Sequence, residues 1–373
     1  MTSNGYLTRR EAIPLIGLGA LAAPTVLNAC SNPSDTALGP QTIDLPGTIA
    51  YACDYLSGEW DVIVSDWDAE TPRNVTRMFP GEHDHPSFGP SGELYFSSTE
   101  PTDTAGVVEQ SINVIRDVDD PENSREKLVV EISGDSQYVF LNRPQVTPDA
   151  SKILFSRGVY EAPEESGLFT MDINGGEPVA LATGFSAAPG QLAFIPGTVT
   201  AIFSHNETEA PSSLKTVDLN TGVVSDYLFT AVTPGGASFN DSHFSTVAID
   251  REGNAFGVAN APGSFFVFLY TWNFNDPSSV SRFGATTVSV QNTFSSYWWK
   301  DLKLIESVDG ENDYLIMVYI RFQSDGKYSL GFSRTNTVAV SDWEPDYIKS
   351  IAGNSTSGTN RHPTWTPINL LGL

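Results

Sequence analysis

One motif returns along the chain, and it constrains the fold more than any other feature. "HPSFGPSGELYFSS" (His85 to Ser98) is matched by "RPQVTPDASKILFSR" (Arg143 to Arg157) and, with one inserted residue, by "QLAFIPGTVTAIFSH" (Gln191 to His205). "HFSTVAIDREGNAFGVAN" (His243 to Asn260) is a looser copy. "YWWKDLKLIESVDGENDYLIMVYI" (Tyr297 to Ile320) is looser still, with a longer turn, and "RHPTWTPINLLGL" ends the chain on a copy cut off after its first strand. The copies start about 48 to 64 residues apart, the size of a four-stranded propeller blade with its loops.

Between the copies the pattern stays β. From Gly47 onward, apolar alternation recurs in short runs separated by Gly, Pro, Asn and Asp, and no long stretch keeps a helical period. "WDVIVSDWDAETPRNVT", "GLFTMDINGGEPVAL" and "SLKTVDLNTGVVSDY" each read as strand, Asp-led turn, strand. Asp, Asn and Gly suit such turns because they bond their own backbone or tolerate positive φ. A calcium loop is the functional alternative for these turns, but the full EF-hand spacing is missing.

The motifs "HPTWTP", "HPSFGPSGELYF" and "RPQVTPDASKILF" resemble the TolB-type propeller repeat, which runs roughly P-x-W-S-P-D-G-x-x-I-A-F. The resemblance extends over nearly all of Gly47 to Leu373, strongest in the first copies and thin from His243 to Ser350. It implies an all-β fold and says little about activity. "GTIAYACD" at the start of the folded part matches the second strand of a blade, and "HPTWTP" at its end matches a first strand. A six-bladed β-propeller is therefore expected, its ring closed by the C-terminal strand joining the N-terminal blade, which removes open sheet edges. Seven blades is the alternative, because the Val258–Ile320 region is long enough to hold another.

In propellers of this kind the first strand of each blade lines the central channel. Aligning the copies on Phe88, Val146, Phe194 and Trp365 makes His85, Arg143, Gln191 and His362 equivalent. His83 lies two residues before His85 and is expected on the same strand face. His243 opens the fifth first strand, and Trp298, Trp299 and Lys300 fall in the sixth. Four of the five histidines thus lie near the starts of channel strands. Imidazoles with a carboxylate such as Asp84 or Asp241 suit a divalent metal, with His85, His243 and His362 as the candidate ligands. They also suit sugar hydroxyls, with Tyr297 or Trp298 as a stacking surface, and Arg143 suits a carboxylate. The plainer reading is structural: residues before the repeat proline often bond the neighbouring blade, and a stretch such as "SSYWWKD" more often packs a core than forms a platform.

The first residues belong to targeting rather than to the fold. Arg9–Arg10 precede a moderately apolar stretch, Ala12 to Leu27, interrupted by Pro14 and Pro24. The pair resembles a Tat export signal, and "LNAC" resembles a bacterial lipobox with Cys30 as the lipidated residue, although Asn28 is unusual there. Residues 1–29 are expected to be a signal peptide, 30–46 a flexible tether, and 47–373 the propeller. Acyl chains on Cys30 would hold the protein on a membrane without spanning it. The expected location is outside the cytoplasm, on the periplasmic or cell-surface side. The other cysteine, Cys53, sits in the apolar run "IAYACD" and reads as a buried, inert thiol.

Charge narrows the partners. With 20 basic and 45 acidic residues the net charge is −25, which argues against nucleic acid and against docking on anionic lipid. No G-x-S-x-G elbow, H-E-x-x-H zinc signature or phosphate loop occurs. Two functions remain. One is a membrane-tethered binding or scaffold protein of the cell envelope, taking a protein, small-molecule or glycan ligand at the channel mouth, with no cofactor and no catalysis assumed. The other is a polysaccharide-active enzyme resembling oligogalacturonate lyases, in which Arg143 would neutralise a uronate while a histidine acts as base beside a divalent metal.

Overall fold

A computed structural model describes residues 47–54, 59–66, 72–134, 137–185, 192–205, 213–230, 238–241, 243–250, 252–260, 267–286, 296–298, 314–316, 319–322, 328–336, 348–350 and 360–366. Arg9, Arg10, Cys30 and Gln191 lie outside the described residues, and so do the signal peptide and tether expected over residues 1–46. Among the described residues no helix is long and apolar enough to cross a membrane.

The chain is an all-β propeller with five four-stranded antiparallel blades among its described residues. The first contains β1 (Thr48–Cys53), β2 (Asp61–Asp66) and β3 (Arg73–Asn74), with the C-terminal strand Asn360–Thr366 on the free side of β1. The second runs β4 (Glu82–Phe88), β5 (Leu94–Pro101), β6 (Val108–Ile115), β7 (Arg125–Ser133). The third runs β8 (Val139–Val146), β9 (Lys152–Val159), β10 (Gly167–Asp172), β11 (Val179–Thr183). The fourth comprises β12 (Leu192–Phe194), β13 (Thr200–His205), β14 (Ser213–Asp218) and β15 (Val224–Tyr227). The fifth comprises β16 (His243–Ile249), β17 (Asn254–Asn260), β18 (Val267–Asn273) and β19 (Asp276–Thr286). Beyond it, Ser296–Trp298, Tyr319–Phe322 and Tyr328–Asn336 pair in that order, and both Tyr314–Ile316 and Ile348–Ser350 pair with the last of these.

Blades are held face to face by apolar clusters. Second strands are enclosed on both faces, which is why "TIAYAC" is apolar at five of six positions and buried throughout. Ala50, Val62, Val64 and Val75 of the first blade pack on Leu94, Phe96 and Ile115 of the second. Tyr95, Ile112 and Val114 pack on Leu141, Ile153 and Phe155 of the third. Leu154 and Leu168 then meet Ala201, Phe203 and Val217 of the fourth, and Ile202 and Leu214 meet Phe244, Val247 and Trp272 of the fifth. Each sheet buries both faces only because neighbours supply the other half, as the repeat pattern requires.

The Asp-led turns are built from the aspartate's own oxygens. Asp218 Oδ1 accepts from the backbone N–H groups of Asn220 (3.0 Å) and Thr221 (2.8 Å). Asp250 Oδ1 accepts from Glu252 (3.0 Å) and Asn254 (2.7 Å) in the same way. In the hairpin between first and second strands, one repeat position needs positive φ. It is filled by Gly92 (φ 94°) and Gly253 (φ 85°), but by Ala150 (φ 56°) in the third blade.

Candidate functional site at the bulged inner strands

First strands lie beside first strands. The strand Asn360–Thr366 neighbours β4, β4 neighbours β8, and β12 neighbours β16. Three of these strands carry the same irregularity. Along β4 the register jumps between Asp84, opposite Ser97, and Ser87, opposite Tyr95, so His85 and Pro86 together face one residue of β5. Along β8 the jump lies between Asn142 and Gln145, around Arg143 and Pro144. In the C-terminal strand it lies between Arg361, opposite Ala52, and Thr364, opposite Ala50, around His362 and Pro363. Each is a one-residue bulge at the same repeat position, and proline is its second member. Proline has no N–H for the ladder, so a bulge is where a strand accommodates it.

The backbone there is strained. His85 has φ 52° and Arg143 φ 56°, in the left-handed region that residues other than glycine seldom adopt. Local bonds hold the conformation. The His85 N–H donates to Asp84 Oδ1 at 2.7 Å. The Ser97 hydroxyl donates to the Asp84 carbonyl at 3.0 Å, and Ser156 donates to the equivalent Asn142 carbonyl at 3.2 Å. Because the Ser97 proton is committed, its oxygen accepts from His85 Nδ1–H at 3.1 Å. Asp84 Oδ2 stands 3.7 Å from the same nitrogen. Ser97 and Asp84 thus both lie on the Nδ1 side of the ring.

His83 does not share this face. Its Nδ1 bonds Ser98 Oγ at 2.8 Å, and its Nε2 lies 3.4 Å from the Phe79 carbonyl. Ser97 and Ser98 are adjacent in β5 and point to opposite sides, so the two imidazoles do as well. The expectation of a common face fails because it assumed an unbroken two-residue period, and the bulge breaks it. His83 is fully buried, edge-on to Phe79 and Phe96. Burial pushes its pKa down to about 4, so the ring is neutral at pH 7.

Around His83 runs a polar line across all four strands of the second blade. Asn113 Nδ2 donates to Ser98 Oγ (2.9 Å) and Ser111 Oγ (3.0 Å). Arg125 donates to Asn113 Oδ1 (2.8 Å) and to Glu100, and its guanidinium lies over the Phe79 ring at 4.2 Å. Lys127 bridges Glu100 (2.7 Å) and Glu109. Burial opposes the charge on Glu100, but Lys127 and Arg125 outweigh it and hold the carboxyl below its ordinary range. These bonds tie strands to one another, so His83 is part of the blade's framework.

The other candidates are placed by their backbones. His243 pairs with Asn260 and Phe244 with Ala259, and the bulge of β16 falls between Phe244 and Thr246. Counting back from the strand end, Ile249 corresponds to Phe88, so Thr246 takes the His85 position and His243 corresponds to Glu82. Trp298 pairs with Ile320 in the short strand Ser296–Trp298. The structure thus brings His362, His85 and Arg143 to one level of three adjacent strands and sets His243 three residues away from it. Among the described residues, no three His, Cys, Asp or Glu side chains are grouped to hold a metal ion. The serine support at Ser97 and Ser156 was missed from sequence, though its trace is there: Phe96–Ser97, Phe155–Ser156 and Phe203–Ser204 recur in three successive copies.

The blade order, the packing of sheet on sheet and the adjacent first strands define a β-propeller. Its fold is of the TolB type: TolB from Acinetobacter baumannii superposes with a TM-score of 0.54 at 15% identity, covering 86% of this chain and 67% of that one. A chain of a nidogen/laminin complex gives 0.53 at 10% identity over 86% of this chain and 98% of that one. No protein-family model matches the sequence, and no curated protein does.

Proposed function

We propose that this chain is an exported, lipid-anchored β-propeller that serves as a binding or scaffold module of the cell envelope, taking its ligand at the mouth of the channel. The observation that carries the proposal is the row of equivalent bulges on three adjacent inner strands, with His362, His85 and Arg143 at them. Strained backbone held in place by dedicated side-chain bonds is characteristic of sites that present groups to a ligand. Gln191 extends the row by alignment, His243 opens the first strand of the fifth blade, and Trp298 lies in the short strand Ser296–Trp298. Six blades in a ring is the count we favour. The pairing of the C-terminal strand with β1 and the extra strands between Ser296 and Ser350 support it.

Export is assigned to Arg9–Arg10 and anchoring to Cys30. Replacing Cys30 with alanine should move the protein from the membrane fraction to the soluble fraction. The binding role is tested by co-purification of a partner from solubilised membranes, with the double substitution His85→Ala and His362→Ala as control. Loss of the partner with unchanged melting supports the proposal. Bound divalent metal that disappears in the same double variant, together with turnover of a polyuronate, would instead establish the lyase-like alternative.

A further inference from the structure

Among the described residues, the exposed aromatic side chains all lie at one corner of the third blade: Tyr138, Phe140 and Tyr160, at 46%, 44% and 78% exposure. The pairing of β8 with β9 brings them together. Phe140 stands opposite Gly158. The Tyr160 N–H donates to the Tyr138 carbonyl at 3.0 Å, which carries the ladder one pair further. Opposite residues share a face, and so do residues two apart in a strand. Tyr138, Phe140, Gly158 and Tyr160 therefore form a square on one face, with rings at every position but the glycine. Leu154 lies on the same face of β9 and is covered by Ala201 and Phe203 of the fourth blade. The rings at the other end of that face are left in solvent, and an exposed apolar patch of this kind marks an interaction surface.

A carboxylate is fixed beside the rings. Glu161 Oε2 accepts from the Tyr138 N–H at 2.7 Å. Glu164, in the turn Pro163–Glu165, is exposed nearby in sequence. Arg157 stands 3.6 Å from Glu165, but no cation among the described residues pairs with Glu161 or Glu164 or lies over the three rings. Inside the blades the same arrangement occurs complete with an arginine. Arg125 lies 4.2 Å from the Phe79 ring centre and pairs with Glu100. Arg157 lies 5.6 Å from the Phe169 ring centre and pairs with Glu131 at 2.7 Å. The corner has the rings and the carboxylate, and none of the described residues supplies the cation.

We infer that this corner docks an arginine of a partner polypeptide. The guanidinium would lie against the rings over Gly158, with its N–H groups donating to Glu161. Arginine fits better than lysine, because its plane stacks on ring faces while its edge donates to a carboxylate. Charge favours a basic segment: at −25 the protein attracts it and repels an acidic one. A neutral sugar also stacks on aromatic rings, but it gains nothing from the net charge. Tyr138 and Phe140 stand at the start of β8, the inner strand that carries the Arg143–Pro144 bulge. The inference thus names a partner chemistry for the envelope-binding proposal and rests on it.

The test uses the full chain in detergent and blocked, fluorescent Gly-Ser peptides of one length that carry arginine, lysine or glutamate at the same positions. Anisotropy titration near physiological salt should show the arginine peptide binding about fivefold or more tightly than the lysine peptide, and no binding of the glutamate peptide. Tyr138→Ala combined with Tyr160→Ala should remove the preference at an unchanged melting temperature, since both side chains are exposed. If that variant melts early, Tyr160→Ala alone decides. Glu161→Gln keeps an acceptor for the Tyr138 N–H and loses the charge, so it should weaken the arginine peptide severalfold with the rings still in place. Equal binding of the arginine and lysine peptides, binding of neither, or a preference that survives Tyr160→Ala overturns the inference. Chitotriose is the neutral-sugar probe, and its binding in place of the arginine peptide also overturns it. A partner that co-purifies from membranes equally with wild type and with Tyr160→Ala removes this site and leaves the binding-module proposal standing.

Discussion

His83 and His85 are two residues apart in one strand and project from opposite faces of it. One bonds Ser98 and the other bonds Ser97. The extra residue at the His85–Pro86 bulge reverses the alternation, leaving one imidazole inside the blade and the other at the inner-strand row. The same pair of side chains thus divides into a framework group and a candidate ligand group.

His83 makes stability depend on pH. Its pKa falls from the ordinary 6.5 to about 4 on folding, through burial. The contribution is complete above about pH 6.5 and is lost as pH falls towards 4, because the unfolded chain takes up a proton that the folded chain refuses. Between pH 7 and pH 5 the loss should be about 2 kcal/mol. Urea unfolding at the two pH values measures it. In His83→Gln most of this difference should vanish, and an unchanged pH dependence in that variant would refute the assignment.

Arg125 is the centre of the polar line in the second blade. Truncation to alanine strips Glu100 of one of its two cations and removes the guanidinium donors from Asn113 Oδ1. The expected cost is about 3 kcal/mol, the range for removing one partner of a buried pair. Chemical denaturation reads it directly. Arg125→Ala combined with Glu100→Gln should recover part of the loss, since the uncompensated charge is then gone.

Ala150 occupies a hairpin position that glycine fills in the second and fifth blades. Its φ of 56° costs an L-residue about 1 kcal/mol relative to glycine. Ala150→Gly should therefore raise the melting temperature, although glycine's greater freedom in the unfolded chain offsets part of the gain. A lower melting temperature would show that the strain is relieved by contacts that glycine lacks.

Gly222 marks where the third and fourth blades touch. A Cβ there would stand 2.0 Å from the Leu181 carbonyl oxygen, and φ is 72°. Both the clash and the backbone conformation oppose substitution. Gly222→Ala should destabilise by about 2 kcal/mol or more. Gly176→Ala, with positive φ but nothing within 4 Å, supplies the comparison and should cost less.

The sequence by itself determined the architecture. Repeated copies with two-residue alternation and Asp-led turns specify four-stranded blades, since each copy can bury its apolar faces only against another copy. It also aligned His85, Arg143 and His362, because proline after each of them recurs with the repeat. The pairs Phe96–Ser97 and Phe155–Ser156 are legible in the same way, because they recur with the repeat. What the tertiary structure decided is where each polar side chain goes. A two-residue period predicts a common face for His83 and His85, but the bulge that Pro86 marks forms only on pairing with β5, and it breaks that period. His243 opens its strand as expected and still falls three residues from the bulge row, because register is set by pairing with β17. The line from His83 to Glu100 joins residues of all four strands of the second blade, and sequence distance says nothing about such contacts until the sheet has formed.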